Sequence, residues 1–421
     1  MSMVFAGVKG AGVLDYACCW YLRAAQYIQG TGIKAGLVST NSITQGEQPG
    51  ILWPVLFRTL GVKIHFAHRT FTWESEARGK AHVHVVIVGF GTSDVPNKRI
   101  YDYESDGETT SVTPAGNINP YLVEGRDMAL QDREHPLSGV PEMQFGNMPN
   151  DGGNLILSDE EKEKLLRGHP EAQSLVRPLL SAREYLHGEN RWCLWLKDAS
   201  PQSIREIVEV RRRVEAVRAC RAASRREATN KLADSPMLFG EIRQPATKFV
   251  LVPRHSSEKR RYIPLSYFSP NFIPSDSCLF LDNATLYHFG VLSSAMHMAW
   301  VRAVCGRIKS DFRYSTSLVY NNYPWPESPG AKQRAAVEAA AQAVLDTRKE
   351  FPGATLADLY DPLAMPPALV KAHARLDRAV DLCYRPQPFD PGRQRVEHLL
   401  ALYERLTVPL MPTGKKARRT T

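Results

Sequence analysis

From Ile33 to Phe90 the apolar and polar positions alternate in the order strand, helix, strand, strand. Ile33-Lys34-Ala35-Gly36-Leu37-Val38-Ser39-Thr40 is a short apolar run ending in small polar residues, the pattern of a buried strand that opens onto a site. Residues 41–48 are polar and predict a loop. Gly50 to Phe57 has helical spacing, with Pro54 tolerable in a first turn. Val62 to Phe66 and Ala81 to Phe90 predict two further strands. Between them, His68-Arg69-Thr70-Phe71-Thr72-Trp73 is too polar and aromatic for a core strand. It predicts a strand-end loop, where open α/β sheets bind ligands.

The same reading continues in both directions. Val13 to Ile28 predicts a helix, and residues 92–149, rich in Gly, Pro, Asn, Asp and Ser, predict an extended connector. Ser158 with Glu161 fits a capping box opening a helix through Arg167. Trp192 to Leu196 and Phe249 to Pro253 predict strands, and Ser203 to Lys231 one long helix seamed by Ile207, Val210, Val214 and Val217. Val291 to Val304 predicts another helix. From Ala331 the composition shifts, and three apolar stripes predict a helical bundle: Val337/Ala341/Val344, Leu369/Leu376/Ala379 and Val396/Leu399/Tyr403. Strands and helices together predict an α/β and α+β multidomain protein.

Composition narrows the function. A length of 421 residues predicts about three domains, and 43% hydrophobic with 23% charged residues is ordinary globular usage. A net charge of +9 favours a polyanionic partner. The seven cysteines form no Cys-x-x-Cys pair and read as thiols of a reducing compartment. Asp15 interrupts the N-terminal apolar run, so a signal peptide does not fit. Residues 283–301 are uncharged but carry Asn283, His288, Ser293, Ser294 and His297, which predicts a buried helix with its flanking turn and no membrane partner. A cytoplasmic protein is expected.

Three basic stretches have nucleic-acid chemistry. Residues 203–231 carry nine Lys/Arg against four Glu, and Arg211, Arg218, Arg221 and Arg225 would align on one helix face and track phosphates. A solvated basic face is the alternative. Arg254, Ser256, Ser257 and Arg260 follow a strand and suit phosphate contact, or form a charged surface loop. Lys309, Asp311 and Arg313 alternate with Phe312 and Tyr314, so they would share one face of an extended segment and reach base edges. A plain Arg–Asp surface pair is the competing reading. His65, His68, His82 and His84 lack a fixed set of further ligands, so no metal is expected. No P-loop, nucleophile elbow or His-Glu-x-x-His pattern is present.

A family resemblance runs through the chain. Gly12-Val13-Leu14-Asp15-Tyr16, Leu37-Val38-Ser39-Thr40-Asn41-Ser42-Ile43-Thr44-Gln45-Gly46-Glu47-Gln48 and Phe66-Ala67-His68-Arg69-Thr70-Phe71 resemble the MmeI-like family of type IIL restriction–modification enzymes and related adenine-specific DNA methyltransferases. So do Asp151-Gly152-Gly153-Asn154-Leu155-Ile156-Leu157, Arg191-Trp192-Cys193-Leu194-Trp195-Leu196, Tyr287-His288-Phe289-Gly290-Val291-Leu292, Tyr320-Asn321-Asn322-Tyr323-Pro324-Trp325-Pro326 and Leu356-Ala357-Asp358-Leu359-Tyr360-Asp361-Pro362. The resemblance implies the C-terminal part of a class I (Rossmann-like) methyltransferase sheet over residues 1–100. It further implies a connector over 101–150, a mixed α+β target-recognition domain over 151–328, a small helical domain over 329–410 and a basic tail over 411–421.

The resemblance also implies methyl transfer from S-adenosylmethionine to an adenine swung out of double-stranded DNA. Phe71 would be the aromatic face for that base, with Trp73 in reserve and Asn41 and Ser42 lining the pocket. Two family features are missing from these residues: the Gly-rich cofactor loop and the Asn-Pro-Pro-aromatic motif. Asn119-Pro120-Tyr121 has a single proline and follows a polar run, so it reads as a turn. No cofactor-binding residue is therefore expected in the chain, and alone it is expected to be inactive. The alternatives are a recognition subunit paired with a separately encoded N-terminal methyltransferase half, or a truncated fragment.

Overall fold

The computed structural model describes residues 1, 3–73, 83–103, 110–390 and 393–407. Ala81, His82 and the basic tail, all named above, lie outside these residues. The chain forms two compact units. The first comprises residues 1–138, 321–327 and the segment beginning at Phe389; the second comprises 139–320 and 328–388.

The first unit is built on a five-stranded sheet in the order β1-β3-β2-β4-β5, where β1 is Ala35–Thr40, β2 Lys63–Trp73, β3 Val83–Gly91, β4 Lys98–Tyr103 and β5 Thr110–Ala115. β3 runs antiparallel to both β1 and β2, β2 and β4 are parallel, and β5 closes the far edge antiparallel to β4. One face buries Ile64, Ala67, Val86, Val88, Phe90 and Ile100 in a core completed by Tyr21 and Leu22 of helix Ala17–Tyr27 and by Leu52, Trp53 and Leu56. Each Val, Leu, Ile or Phe among them contributes about 1.5–3 kcal/mol by leaving water. Tyr21 stacks on Phe90 with ring centroids 5.9 Å apart, and Trp53 donates its indole N–H to Ile43 O at 2.9 Å.

Several expectations change here. His68 to Trp73 is not a loop but the outer half of β2, because polar and aromatic residues suit a strand whose far end is exposed. Pro54 does not open its helix; it ends the α-helical stretch Gln48–Pro54, and the following turn widens to a π-helix over Val55–Thr59, as a missing N–H and a ring crowding the preceding turn demand. Residues 98–115, read as connector, supply β4 and β5. Asn119-Pro120-Tyr121 is a turn in which Asn119 Oδ1 accepts from the Tyr121 N–H at 2.9 Å.

The second unit holds three sheets. Ser266–Phe268, Phe249–Pro253, Cys278–Asp282 and Met143–Phe145 form one antiparallel sheet; Ile273–Pro274, Val176–Leu180, Trp192–Leu194 and Ile156–Leu157 form a second. The third is the strand His255–Ser256 with the hairpin Gly306–Ile308/Asp311–Arg313. The capping box forms as read: Ser158 Oγ accepts from the Glu161 N–H at 3.2 Å, and the Ser158 N–H donates to Glu161 Oε2 at 2.9 Å. Residues 283–301 fold into two helices, Leu286–Leu292 and Ala295–Val304, and no helix of the described residues is long and apolar enough to cross a membrane.

Helices Ala331–Lys349 and Pro367–Tyr384 pack together and on Leu286–Leu292, with Gly290 giving the clearance that Val337 and Ala341 need. Helix Arg393–Thr407 belongs to the first unit, where Arg393 pairs with Asp102 at 3.3 Å. A buried polar chain ties the helices of the second unit to its sheets. Arg348 donates to Leu265 O and to the Tyr360 hydroxyl, and Tyr360 shares a 2.8 Å hydrogen bond with His373 Nε2. Tyr262 stacks on His373 at 4.0 Å and donates to Asp377 at 2.6 Å.

The long basic helix breaks into Pro201–Glu206, Val208–Ala222 and Glu227–Lys231, with Ile207 extended. Arg221 is 1% exposed and donates to five carbonyls: Pro149, Asn150, Leu232, Ser235 and Leu238. A buried guanidinium surrounded by carbonyls holds two chain segments at once, and removing it strands their acceptors. Arg221→Gln is expected to destabilise the second unit by about 3 kcal/mol, whereas Arg218→Gln on the exposed side stays within about 0.5 kcal/mol in the same urea titration. Equal effects would remove the clamp from this account.

His297 is fully buried between Leu292 O (2.9 Å from Nδ1) and the Tyr314 hydroxyl (2.9 Å from Nε2). Burial lowers its pKa to about 4, and burial with the nearby Arg348 holds His373 well below the ordinary range. Between pH 6.5 and 4.5 the unfolded chain takes up these protons and the folded chain does not, so stability falls as pH falls. The expected loss is about 1.4 kcal/mol per pH unit for each histidine, and His297→Asn should roughly halve it, leaving the His373 share, in denaturant titrations at the two pH values. A pH-independent wild type would contradict the burial of both rings.

Candidate nucleic-acid interface

The aromatic residues of β2 depend on a break in pairing. His68 pairs with Ile87 and Phe71 with Val85, so Arg69 and Thr70 together oppose Val86. In a regular strand, residues three apart point to opposite faces. This bulge adds one residue and returns Phe71 to the face that carries His68. There His68 stacks on Tyr101 at 4.2 Å and shares a 2.7 Å hydrogen bond with the Tyr103 hydroxyl, while Phe71 stacks on Tyr103 at 4.5 Å. Burial lowers the pKa of His68, which favours its neutral form. Trp73, 48% exposed, tilts against Phe71 at 6.2 Å.

Asn41 follows Thr40, which pairs with Val85 on the side opposite Phe71, and its amide donates to Thr70 Oγ1 at 3.5 Å. The fold thus brings Asn41, Phe71 and Trp73 to one end of the sheet. Ser42 sits in the short 3-10 turn behind them, bonded to Thr40 Oγ1 at 2.8 Å. Tyr101 and Tyr103 were missed because they lie in the stretch read as connector, although their two-residue spacing around Asp102 is a strand signal. Asp102 itself is bridged by Arg69 at 2.7 Å and Arg393 at 3.3 Å. Among the described residues no group of three metal-ligating side chains converges.

In the second unit the hairpin sorts its residues by face. Phe312 is 1% and Tyr314 2% exposed, while Asp311 and Arg313 are exposed. Phe312 lies between Ser256 and Arg307, whose guanidinium covers the ring at 4.1 Å and pairs with Glu258 at 3.2 Å. Arg313 lies between His255 and Gly306 on the outer face. Lys309 does not share the strand: it stands at the hairpin tip with a φ of 55°.

The remaining basic candidates separate. Arg254 is half-buried, its guanidinium over Phe145 at 4.9 Å and hydrogen-bonded to Asp276 O at 3.0 Å; burial and the neighbouring Arg313 lower its pKa. Ser256 faces inward beside Phe312 and is buried, so it cannot meet a phosphate from the surface. Ser257 and Arg260 are half-buried, and burial lowers the Arg260 pKa. Arg211 and Arg218 remain exposed on helix Val208–Ala222. Arg221 turns into the protein, and Arg225 lies past the helix end, so the four-residue stripe does not exist as a single face.

Known proteins resemble this chain in sequence and fold. Residues 1–102 match the family description "MmeI, DNA-methyltransferase domain", 124–327 match "MmeI, target recognition domain" and 330–411 match "MmeI, C-terminal domain". The chain is 38% identical over 407 residues to DNA methyltransferase A of Bacillus subtilis (strain 168), which covers 97% of this chain and 45% of that protein. It is 43% identical, with a TM-score of 0.85, to the Type IIL restriction-modification enzyme MmeI solved in complex with DNA, over 96% of this chain and 54% of that one. The chain therefore spans about half the length of the relatives it matches. Three consecutive domain matches and one shared fold across nearly all of its length establish that this chain belongs to the MmeI family.

Proposed function

We propose that this chain is the C-terminal portion of a site-specific DNA adenine-N6 methyltransferase of a type II restriction–modification system, acting on double-stranded DNA. In this reading residues 1–100 complete the catalytic sheet, 101–150 connect, 151–328 read the target and 329–410 form a helical domain, of which helices Ala331–Lys349 and Pro367–Tyr384 support the reader and helix Arg393–Thr407 packs in the first unit. The observation that carries it is the outward pair Asp311 and Arg313, held by inward Phe312 and Tyr314, within the segment that matches a target recognition domain. The DNA bound to MmeI supports the same partner here.

The residues divide the work. Arg313 donates to guanine and Asp311 accepts from cytosine in the major groove, with Lys309 at the hairpin tip beside them. Arg211, Arg218 and Arg254 supply phosphate contacts that set position without reading sequence. Phe71, stacked on Tyr103, offers its ring to an adenine outside the duplex, and Asn41 stands beside it as a polar partner. S-adenosylmethionine would supply the methyl group. The 421 residues contain neither the Gly-rich loop nor the Asn-Pro-Pro-aromatic motif of such enzymes, so no cofactor step is assigned to them.

The test uses the chain assembled with the remaining methyltransferase portion. Exchanging Asp311 and Arg313 for other polar residues is expected to change the accepted base pair, by about 1–3 kcal/mol of discrimination, while a matching site is methylated at near the wild-type rate. Phe312→Ala should instead damage folding, by about 3–5 kcal/mol. Uniform loss of methylation on every site with Asp311 and Arg313 variants would make these residues structural and overturn the reading.

A further inference from the structure

The bulge that turns Phe71 is a weak point in its strand. Two residues oppose one there, so the ladder is locally disrupted and the chain at Arg69 and Thr70 depends on side-chain contacts. Both residues are tied. Thr70 Oγ1 accepts from Asn41 Nδ2 at 3.5 Å, and Arg69 Nη1 donates to Asp102 Oδ1 at 2.7 Å. Asp102 stands between Tyr101 and Tyr103 in β4, so it projects from the face opposite the two rings that stack on His68 and Phe71. One short stretch of strand thus serves both faces. Its tyrosines hold the aromatic rings in line, and its carboxylate holds the bulge.

The other oxygen of that carboxylate is taken by a residue 291 positions further along the chain. Arg393 Nη1 donates to Asp102 Oδ2 at 3.3 Å, and its Nε lies 3.1 Å from Glu397 Oε1, one helical turn on. Burial raises the Glu397 pKa against the pull of Arg393 and Arg69, so this turn of helix belongs to the same charge cluster. Arg393 opens helix Arg393–Thr407, whose Val396, Leu399, Leu400 and Tyr403 are buried and which belongs to the first unit. A lone ion pair between two free surface side chains contributes little. Here the side chains of Arg69, Asp102 and Arg393 are only 28%, 25% and 24% exposed, and two guanidinium groups fix the carboxylate through both of its oxygens.

We infer that Arg393 is a positioning residue for the target base: through Asp102 it holds Arg69, keeps the bulge formed and so sets the Phe71 ring. This inference rests on the function proposed above, in which Phe71 receives the adenine. Arg393 acts through Asp102 and not on the base itself. The segment matching "MmeI, C-terminal domain" is thereby divided in its work. Its helices Ala331–Lys349 and Pro367–Tyr384 belong to the second unit, whereas its last helix supports the end of the sheet in the segment matching a methyltransferase domain.

The experiment uses the full chain assembled with the remaining methyltransferase portion. Arg393→Met keeps the aliphatic stem and removes the charge. On a natural duplex it is expected to lower kcat about three- to tenfold, the range of one partly screened charge-assisted contact, at wild-type duplex affinity and thermal melt. A second duplex carries 2-aminopurine in place of the target adenine and reports the stacking of the displaced base by its fluorescence. Its emission in Arg393→Met should shift from wild type in the direction set by Phe71→Ala. Asp102→Asn should do the same, and Arg393→Lys should recover most of both signals. Wild-type kcat in Arg393→Met beside a defective Phe71→Ala would overturn this inference alone. So would a loss of activity that follows the thermal melt while the base emission stays at wild type, because Arg393 would then be merely structural. Wild-type kcat in Phe71→Ala would overturn the functional reading and this inference with it.

Discussion

A β-strand sends consecutive side chains to opposite faces, and both parts of the proposed site depend on how this chain keeps or breaks that period. In the hairpin of the second unit the period is kept. Phe312 and Tyr314 are locked inside, so Asp311 and Arg313 have no choice but to face out. In β2 the period is broken twice, between Ile64 and Phe66 and again where Arg69 and Thr70 oppose Val86, and the second extra residue is what sets Phe71 on the face of His68 and Tyr103. Without the second break Phe71 would fall on the face opposite His68.

Positioning of this kind needs a rigid background, and here buried cations provide much of it. Arg221 meets carbonyls on two segments, and Arg348 joins Leu265 and Tyr360 to the His373 and Tyr262–Asp377 contacts. Desolvating a guanidinium costs several kcal/mol, which only a full set of acceptors offsets. That requirement makes each clamp intolerant of substitution and specific for one arrangement of the chain. Tyr314 is held the same way, by a buried neutral His297, so the hairpin is fixed from beneath.

What the sequence made legible was local. The strands read at 33–40, which forms over Ala35–Thr40, and at 249–253, the Ser158–Glu161 capping box and the outward alternation at 311–314 all rest on neighbours within a few residues, and each formed. The failures share a different cause. Arg221 sits at a spacing indistinguishable from that of exposed Arg218, and only contacts from residues 149–150 and 232–238 reveal its burial. The break at Ile207 and the bulge at Arg69–Thr70 have no local composition signal, and Tyr103 was hidden in a stretch whose Gly, Asn and Ser content masked a strand. Family resemblance supplied Phe71, but its orientation came from tertiary pairing.

In the proposed function, the first unit receives an adenine on Phe71 while the second unit reads the site. Its most direct test is methyl transfer by the assembled enzyme, with the modified nucleosides identified by mass spectrometry and duplex affinity measured in parallel for wild type and Phe71→Ala. The account predicts N6-methyladenine as the product. It also predicts a loss in Phe71→Ala of about 10- to 100-fold, matching about 1–3 kcal/mol for base stacking, at unchanged duplex affinity. A methylated base other than adenine, or full activity in Phe71→Ala, would contradict it.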